Sequence, residues 1–523
     1  MVQWYSLAQN IWQRCNLIMK EYVVTVHDPN VWDTGLWHEL TTNGLGDNFV
    51  PTRNVDVVNE RPFNEYCAHF LLSDSEANQL RQDPRILDVE LSAEQNPNVS
   101  KGFHAQRPPR DYNKSNTTTS AMKNWGLVRC NTPTNNFANT SNVLEPFYYN
   151  LDGTGVDVVV VDSGVEAGHP EFAVNDDGTG GTRVVDFDWA SLGVSGTPSS
   201  ASIGGYLGDS DGHGTNCASI AVGNTCGWAS GAAIYSIRIF AGPSIQTGAY
   251  LNAINSDIAF DLVRAFHLQK IANGNTRPTI CTNSWGWRGP YSSMVSTTWR
   301  GTNYFSFAPN STYGQVFQVF PATYSYITAS VQSCAAAGVI LVGAAGNYRH
   351  KIDVPGGIDY DNFWRDSSGT INYYHRGSSP TSAPAMICVG AIDSISEQKV
   401  YFSETGPRID VFAPGNLIMG AYANRSYVTA AVRDPRNSAY YLNKVSGTSQ
   451  ACPQVTGVLA CVLQARPRMT PAEAKSFIAS TSQKNALANP TTGGYSNFNS
   501  LQGAANRYLY MPFNSATRGS MTS

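Results

Sequence analysis

The segment DVVVVDSG at residues 157–164 constrains the fold more than any other. Four valines in a row leave no polar face, so the strand they form must be buried on both sides. A strand with one wet face alternates instead. Similar unbroken runs recur at Ile234–Phe240, Pro278–Ser284, Val339–Ala345 and Met386–Ala391. Between them the spacing changes to that of a helix, as in Leu251, Ile254, Ile258 and Leu262, and again in Tyr324, Ile327, Val331 and Ala335. Strands alternating with helices predict an α/β domain, a mainly parallel sheet sandwiched by helices. In such sheets the chemistry gathers outside the carboxyl ends of the strands.

The N-terminal part follows a different pattern. Strand-like runs near Tyr22–Val26, Val55–Val58, Tyr66–Leu72 and Ile86–Leu91 are interrupted by a helix from Asn30 to about Leu40 and by a second helix. The second opens on Ser73-x-x-Glu76, a capping box, and closes before Pro84. The order β-α-β-β-α-β predicts a small α+β ferredoxin-like unit. Residues 93–123 are rich in Pro, Asn, Ser and Thr without apolar periodicity, and read as a linker. The chain thus divides into an N-terminal extension (1–20), the small unit (21–92), the linker (93–123), the α/β domain with insertions (124–496) and a C-terminal tail (497–523).

Composition excludes several classes. Charged residues are only 14% of the 523, and the net charge of −4 gives no field for nucleic acid. No window is apolar enough for a membrane span. The opening MVQWYSLAQNIWQRCNLIMK lacks the apolar core of a secretory signal, so no conventional signal peptide is expected. Ten cysteines without a CxxC pair, several inside apolar runs, read as free thiols filling the core.

Three motifs fall where strands end. Asp162 closes VVD-S-G, His213 lies in D-G-H-G-T before a small-residue helix, and Ser449 lies in G-T-S before the apolar helix VTGVLACVL. A serine hydroxyl needs a base within hydrogen-bond reach to act as a nucleophile. Histidine supplies it, and a buried carboxylate fixes its tautomer. The order Asp, His, Ser is that of the subtilisin arrangement.

With these stretches in place, the chain resembles the subtilisin-like serine protease family, and its proteinase K branch in particular. The resemblance rests on DSGVEAGHPEF (162–172), DGHGTNCASIAVG (211–223), AAGN (344–347), IDVFAPG (409–415) and NWGLVR (124–129). Cys217 matches a free cysteine of that branch. The block 21–92 separately resembles the family's inhibitory prodomain, most clearly in LRQDPRILDVEL (80–91). The resemblance implies an endopeptidase made as a precursor, with its own prodomain as a partner and a processing site in the linker. It assigns Asn347 to the oxyanion, where losing such a donor costs about 10²–10³ in turnover. It makes Ser284-Trp285-Gly286 the edge that pairs with an extended substrate by β-augmentation. Trp285 either narrows the adjoining pocket or packs inward. The chemistry needs no cofactor. Asp410, with the carbonyls of Pro384 and Met386, matches a calcium site of the branch, or is a strand-borne Asp making hydrogen bonds.

The sequence departs from the family at Gln450 after the nucleophile, at Gln454 and at Asn216. Insertions at 287–320, 348–378 and 421–443 are rich in aromatic residues and are expected to rim the cleft, as walls for specificity or as surfaces for assembly. Two functions follow. The first is an active serine endopeptidase, acting outside the cell. The alternative is a structural component of a virus particle that retains the protease fold.

Overall fold

The computed structural model describes residues 19–42, 49–60, 64–92, 96, 100–103, 105–106, 124–131, 151–175, 177–240, 253–305, 310–393, 396–423, 432–490 and 497–511. Cys15, most of the linker and the start of the helix expected from residue 249 lie outside them. The N-terminal unit runs β1 (Lys20–Val26), α1 (Trp37–Thr41), β2 (Asp56–Asn59), β3 (Cys67–Leu72), α2 (Asp74–Leu80) and β4 (Ile86–Leu91). These four strands form an antiparallel sheet in the order β2-β3-β1-β4. Ser73 and Glu76 cap α2 reciprocally, as the motif predicts. Ahead of α1 the chain winds irregularly through Trp32–Leu36, where Gly35 takes a φ of 140° that only glycine adopts without strain. One face of this sheet closes over its own core of Val24, Phe70 and Leu80. Val23 and Cys67 on the other face join the core of the large domain.

Short strands β5 (Ser100–Phe103) and β6 (Ala105–Gln106) and helix α3 (Trp125–Asn131) lead into the large domain. Its first half contains β7 (Asp157–Asp162), β8 (Val184–Val185), α4 (His213–Val222), β9 (Ala233–Arg238), α5 (Ser256–Ala272) and β10 (Thr279–Asn283). Next come β11 (Trp285–Pro290), β12 (Met294–Trp299), β13 (Thr302–Tyr304), β14 (Val319–Pro321), α6 (Ser325–Ala336) and β15 (Ile340–Ala344). Then follow β16 (Phe363–Asp366), β17 (Ile371–Tyr373), β18 (Ile387–Ile392), β19 (Val411–Pro414), β20 (Ile418–Tyr422), β21 (Val432–Asp434) and β22 (Asn437–Gly447). The described chain closes with α7 (Thr448–Ala465), α8 (Pro471–Thr481), β23 (Gln483–Lys484) and β24 (Arg507–Tyr508).

Among the described residues, nine strands make the main sheet, in the order β23-β24-β19-β18-β15-β10-β7-β9-β8. All neighbours are parallel except the edge pair β23 and β24. Alternation along β7 sends Val158 and Val160 into the core shared with α4 and α7, and Val159 and Val161 into the core shared with α5 and α6. The fold class is therefore the α/β sandwich expected from the apolar runs. From β7 the chain adds β8 and β9 on one side and β10 and β15 on the other, so Asp162 ends its strand at a switch point.

Two segments differ from the sequence expectation. Residues 100–106 read as plain linker, yet β5 pairs with β11 and β6 pairs with the end of β22. Such pairing uses backbone groups and needs no side-chain periodicity. The segment from 497 onward reads as a tail, yet β24 joins the main sheet and Leu501, Leu509 and Met511 are buried in its core. All nine described cysteines are free and buried, as their apolar neighbours predict.

Candidate active site

Asp162 is the last residue of β7, buried, with one carboxylate oxygen accepting from Ser163 N at 2.7 Å. That same Oδ1 lies 2.8 Å from His213 Nδ1. His213 opens α4 after a tight turn at Gly212, whose φ is 97°. The helix comes this close to β7 because Gly214 has no side chain: a Cβ there would stand 2.2 Å from Gly164 O. Asp209, absent from the sequence prediction, holds this start in place. Its carboxylate accepts from the backbone N–H of Asp211, Gly212 and Thr215 and from the hydroxyls of Ser163 and Thr215. Only its position four residues before the DGHG turn's histidine could have flagged it, and acids in such turns are common.

Ser449 is the second residue of α7 and fully buried. Its Oγ donates to Ser284 O at 2.9 Å, and Ser284 Oγ donates back to Ser449 O at 2.9 Å. Cys217, one turn along α4 from His213, bridges the two halves. Its Sγ lies 3.8 and 3.9 Å from the imidazole nitrogens and 3.4 Å from Ser449 O. Burial pushes the His213 pKa down, but the Asp162 carboxylate, its hydrogen bond and Cys217 outweigh that and hold it well above the ordinary histidine value.

Asn347 follows the end of β15. Its Oδ1 accepts from Thr448 N at 2.9 Å and Thr448 Oγ1 at 3.0 Å, which ties it to the residue before Ser449. Its Nδ2 is buried and has no partner among the described residues. A buried donor without an acceptor costs about 1–3 kcal/mol. Such a cost is repaid when the acceptor arrives with a ligand. Behind this turn, Glu404 N donates to Gly346 O at 2.9 Å, and its side chain packs against Gly346. Burial holds the Glu404 carboxyl well above the usual carboxylate range, against the opposing Lys399 charge.

Trp285 and Gly286 lie on β11, opposite Phe103 and Gly102 of β5. Trp285 is fully buried and packs on Phe260, so of its two expected placements the inward one is found. Gln450 donates to Asn216 Oδ1 at 3.1 Å, so two of the departures from the family pattern satisfy each other. Gln454 forms a reciprocal amide pair with Asn124 at 3.0 Å and accepts from Trp228. The insertions fold into sheets of their own. β12, β13, β16 and β17 form one, while β21 and β22 form a hairpin. Arg436 of that hairpin pairs with Glu171, and His169 bonds Tyr441 O, which locks it to the loop after Asp162.

Asp410 does not stand free for calcium. Its Oδ2 accepts from Arg408 Nη1 and Cys388 N, each at 2.8 Å, and lies 3.1 Å from Lys475 Nζ. The carbonyl of Met386 accepts from Arg408 and that of Pro384 from Lys475. Two cationic side chains thus take the oxygens that the calcium reading needed, and that reading is withdrawn.

Comparison with known proteins adds a family match, two relatives and a solved structure. The model of the Subtilase family matches residues 153–505. The chain is similar to the "Extracellular serine proteinase" of Thermus sp. (strain Rt41A), 27% identical over 84% of this chain and 74% of the relative. It is 26% identical to the "Alkaline proteinase" of Hapsidospora chrysogena, over 86% of this chain and 80% of that one. Among solved structures, fervidolysin from Fervidobacterium pennivorans, a keratinolytic enzyme related to subtilisin, shares the fold. Its TM-score is 0.52 at 19% identity, covering 94% of this chain and 60% of that one.

Proposed function

The chain belongs to the subtilase family and is a subtilisin-like serine endopeptidase; from that premise we propose that Asp162, His213 and Ser449 are its catalytic triad and Asn347 its oxyanion donor. The Ser449 hydroxyl leaves the Ser284 carbonyl, gives its proton to His213 Nε2 and attacks the peptide carbonyl. Asp162 holds the Nδ1 proton and the charge that forms on the ring. The oxyanion is met by the Nδ2 of Asn347 and the N–H of Ser449, at the positive end of α7. His213 then returns the proton to the leaving amine, and water repeats the sequence on the acyl-enzyme.

The observation that carries this reading is the course of the chain's own residues 100–103 and 105–106. β5 pairs antiparallel with β11, with Gly102 opposite Gly286 and Phe103 opposite Trp285. β6 pairs with the strand entering α7, with Ala105 opposite Gly447 and Gln106 opposite Ser446. The next residue of β11's register is Ser284, whose carbonyl holds the Ser449 hydroxyl. An acyl side on one ladder and a leaving side on the other is how an endopeptidase holds its substrate. The register therefore supports cleavage between His104 and Ala105.

Residues 21–92 act in this reading as a cis inhibitor. The unit docks through Glu90, which accepts from Ser325 N and Oγ at the start of α6. His69 meets Asp257 at 3.1 Å, and Asn64 donates to Ser330 at 2.8 Å. Tethering gives the tail an effective concentration near millimolar (order of magnitude ~10⁻³ M), enough for a weak contact to fill the cleft. The site of action is extracellular, as the name of the Thermus relative supports, on peptide or protein substrates.

The test is purification of the wild-type and Ser449→Ala chains alone, with sequencing of the new N-terminus. Wild type should begin at Ala105, and Ser449→Ala should stay whole. Equal trimming of both would assign the cut to another protease. No trimming of either would make the N-terminal unit permanent and favour the structural, particle-borne alternative.

A further inference from the structure

The turn at residues 381–386 converges its carbonyl oxygens on one point, and a side chain already fills it. Arg408 Nη2 donates to Thr381 O at 2.9 Å, to Ala383 O at 2.7 Å and to Met386 O at 2.8 Å. Its Nη1 donates to Asp410 Oδ2 at 2.8 Å. Lys475, reaching from α8, takes Pro384 O at 3.0 Å and the same Asp410 oxygen at 3.1 Å. Arg408 is 8% exposed. Burial lowers its pKa, but the Asp410 carboxylate more than offsets this and keeps the guanidinium charged.

Convergent carbonyls with one carboxylate are the donor set of a hard cation such as calcium. Here a planar guanidinium satisfies them, and its divergent N–H groups reach both the turn and the carboxylate at once. With Lys475 there are two positive charges against one carboxylate. A divalent ion would have to displace both or sit against them. The turn also supports the substrate edge. Just before it, Ser379 O accepts from Trp287 N of β11, and Ser379 N donates to Ala322 O.

We propose that Arg408, assisted by Lys475, stands in this chain for a metal ion, and that the 381–386 turn and the substrate strand behind it are held without calcium. The test uses the full-length chain carrying Ser449→Ala, which prevents self-digestion, and reads thermal unfolding in millimolar calcium chloride and in chelator. The two midpoints should agree within about 1 °C, since a ligand that does not bind the native state does not shift its melting. Arg408→Met, which keeps the bulk and removes the charge, should melt about 4 °C or more lower in both buffers, as expected for a buried ion pair lost from a domain of this size. Should Arg408→Met fail to fold, Arg408→Lys replaces it. That variant keeps the charge without the fork and should also melt lower. A calcium-dependent rise in the parent that Asp410→Asn abolishes would overturn the proposal. So would an arginine variant that melts with the parent.

Discussion

Replacing Asn347 separates transition-state stabilisation from everything else this side chain does. Its two ends have different duties. Oδ1 takes the Thr448 N–H at 2.9 Å and the Thr448 hydroxyl at 3.0 Å, while Nδ2 is buried without an acceptor among the described residues. Asn347→Ala removes both. Losing the oxyanion donor should lower kcat by about 10²–10³, or about 2.7–4 kcal/mol. Stranding the Thr448 N–H should cost a further ~1–3 kcal/mol of folding stability. Asn347→Asp keeps the acceptor and so should fold nearly as well. It places a carboxylate where negative charge develops, so its kcat should fall at least as far. KM should move little in either variant, because the oxyanion does not exist in the ground state. The assay is steady-state kinetics on a chromogenic peptide, paired with thermal unfolding. If KM rose in step with the fall in kcat, the side chain would be positioning substrate. If Asn347→Asp retained most of its turnover, the oxyanion role would be refuted.

Three other outcomes can be checked. Because His213 keeps its proton to a higher pH than an ordinary histidine, the acid limb of kcat/KM should lie above about 6.5, since the base must be neutral to act. Asp162→Asn removes the charge that raises it, so the limb should move down while the rate drops by about 10⁴; a pH–rate profile decides, and an unmoved limb would count against the pairing. Burial and, secondarily, the Asp88 charge push the docked Glu90 up to about 8, against the Ser325 hydrogen bonds. A carboxyl raised on docking must take up a proton, so association of the cleaved N-terminal unit should weaken as pH climbs from its free value of 4.5 towards about 8. Gel filtration of processed protein across that range should show release, and Glu90→Gln should flatten the dependence. Finally, Gln450 carries no oxidisable sulfur beside the nucleophile, and the neighbouring Cys217 thiol is buried with its pKa raised, so activity should be less sensitive to peroxide than that of Gln450→Met, which should lose it on exposure.

How much of this was legible beforehand depends on where the information sits. Unbroken apolar runs such as DVVVVDSG read as doubly buried strands, and their alternation with helical stretches predicts the parallel sheet. Capping is equally local, and the Ser73–Glu76 box appears where the sequence puts it. Asp162, His213 and Ser449 are also locally marked. Each stands within two residues of a glycine at a strand end or helix start, where the backbone must turn sharply to expose a side chain. What brings them together is long-range, but strands of one parallel sheet share an end, so the convergence could be inferred.

Other features have no local trace. Residues 100–103 and 105–106 pair through backbone N–H and C=O groups that every sequence owns, so nothing in KGF or AQ distinguishes a docked strand from a free linker. Trp285 could have faced the cleft or the core, and Phe260, from a distant helix, sets the choice. Asp410 looked like a metal ligand because its partners are invisible from its neighbourhood. Arg408 is only two residues away, but the carbonyls it gathers are more than twenty residues back, and Lys475 comes from a helix after the nucleophile. Periodicity and turn chemistry are written along the chain. The partner of a buried charge or of an unpaired backbone edge is fixed only when distant segments are packed, because low dielectric and the loss of water then make one arrangement of cations and oxygens far cheaper than the rest.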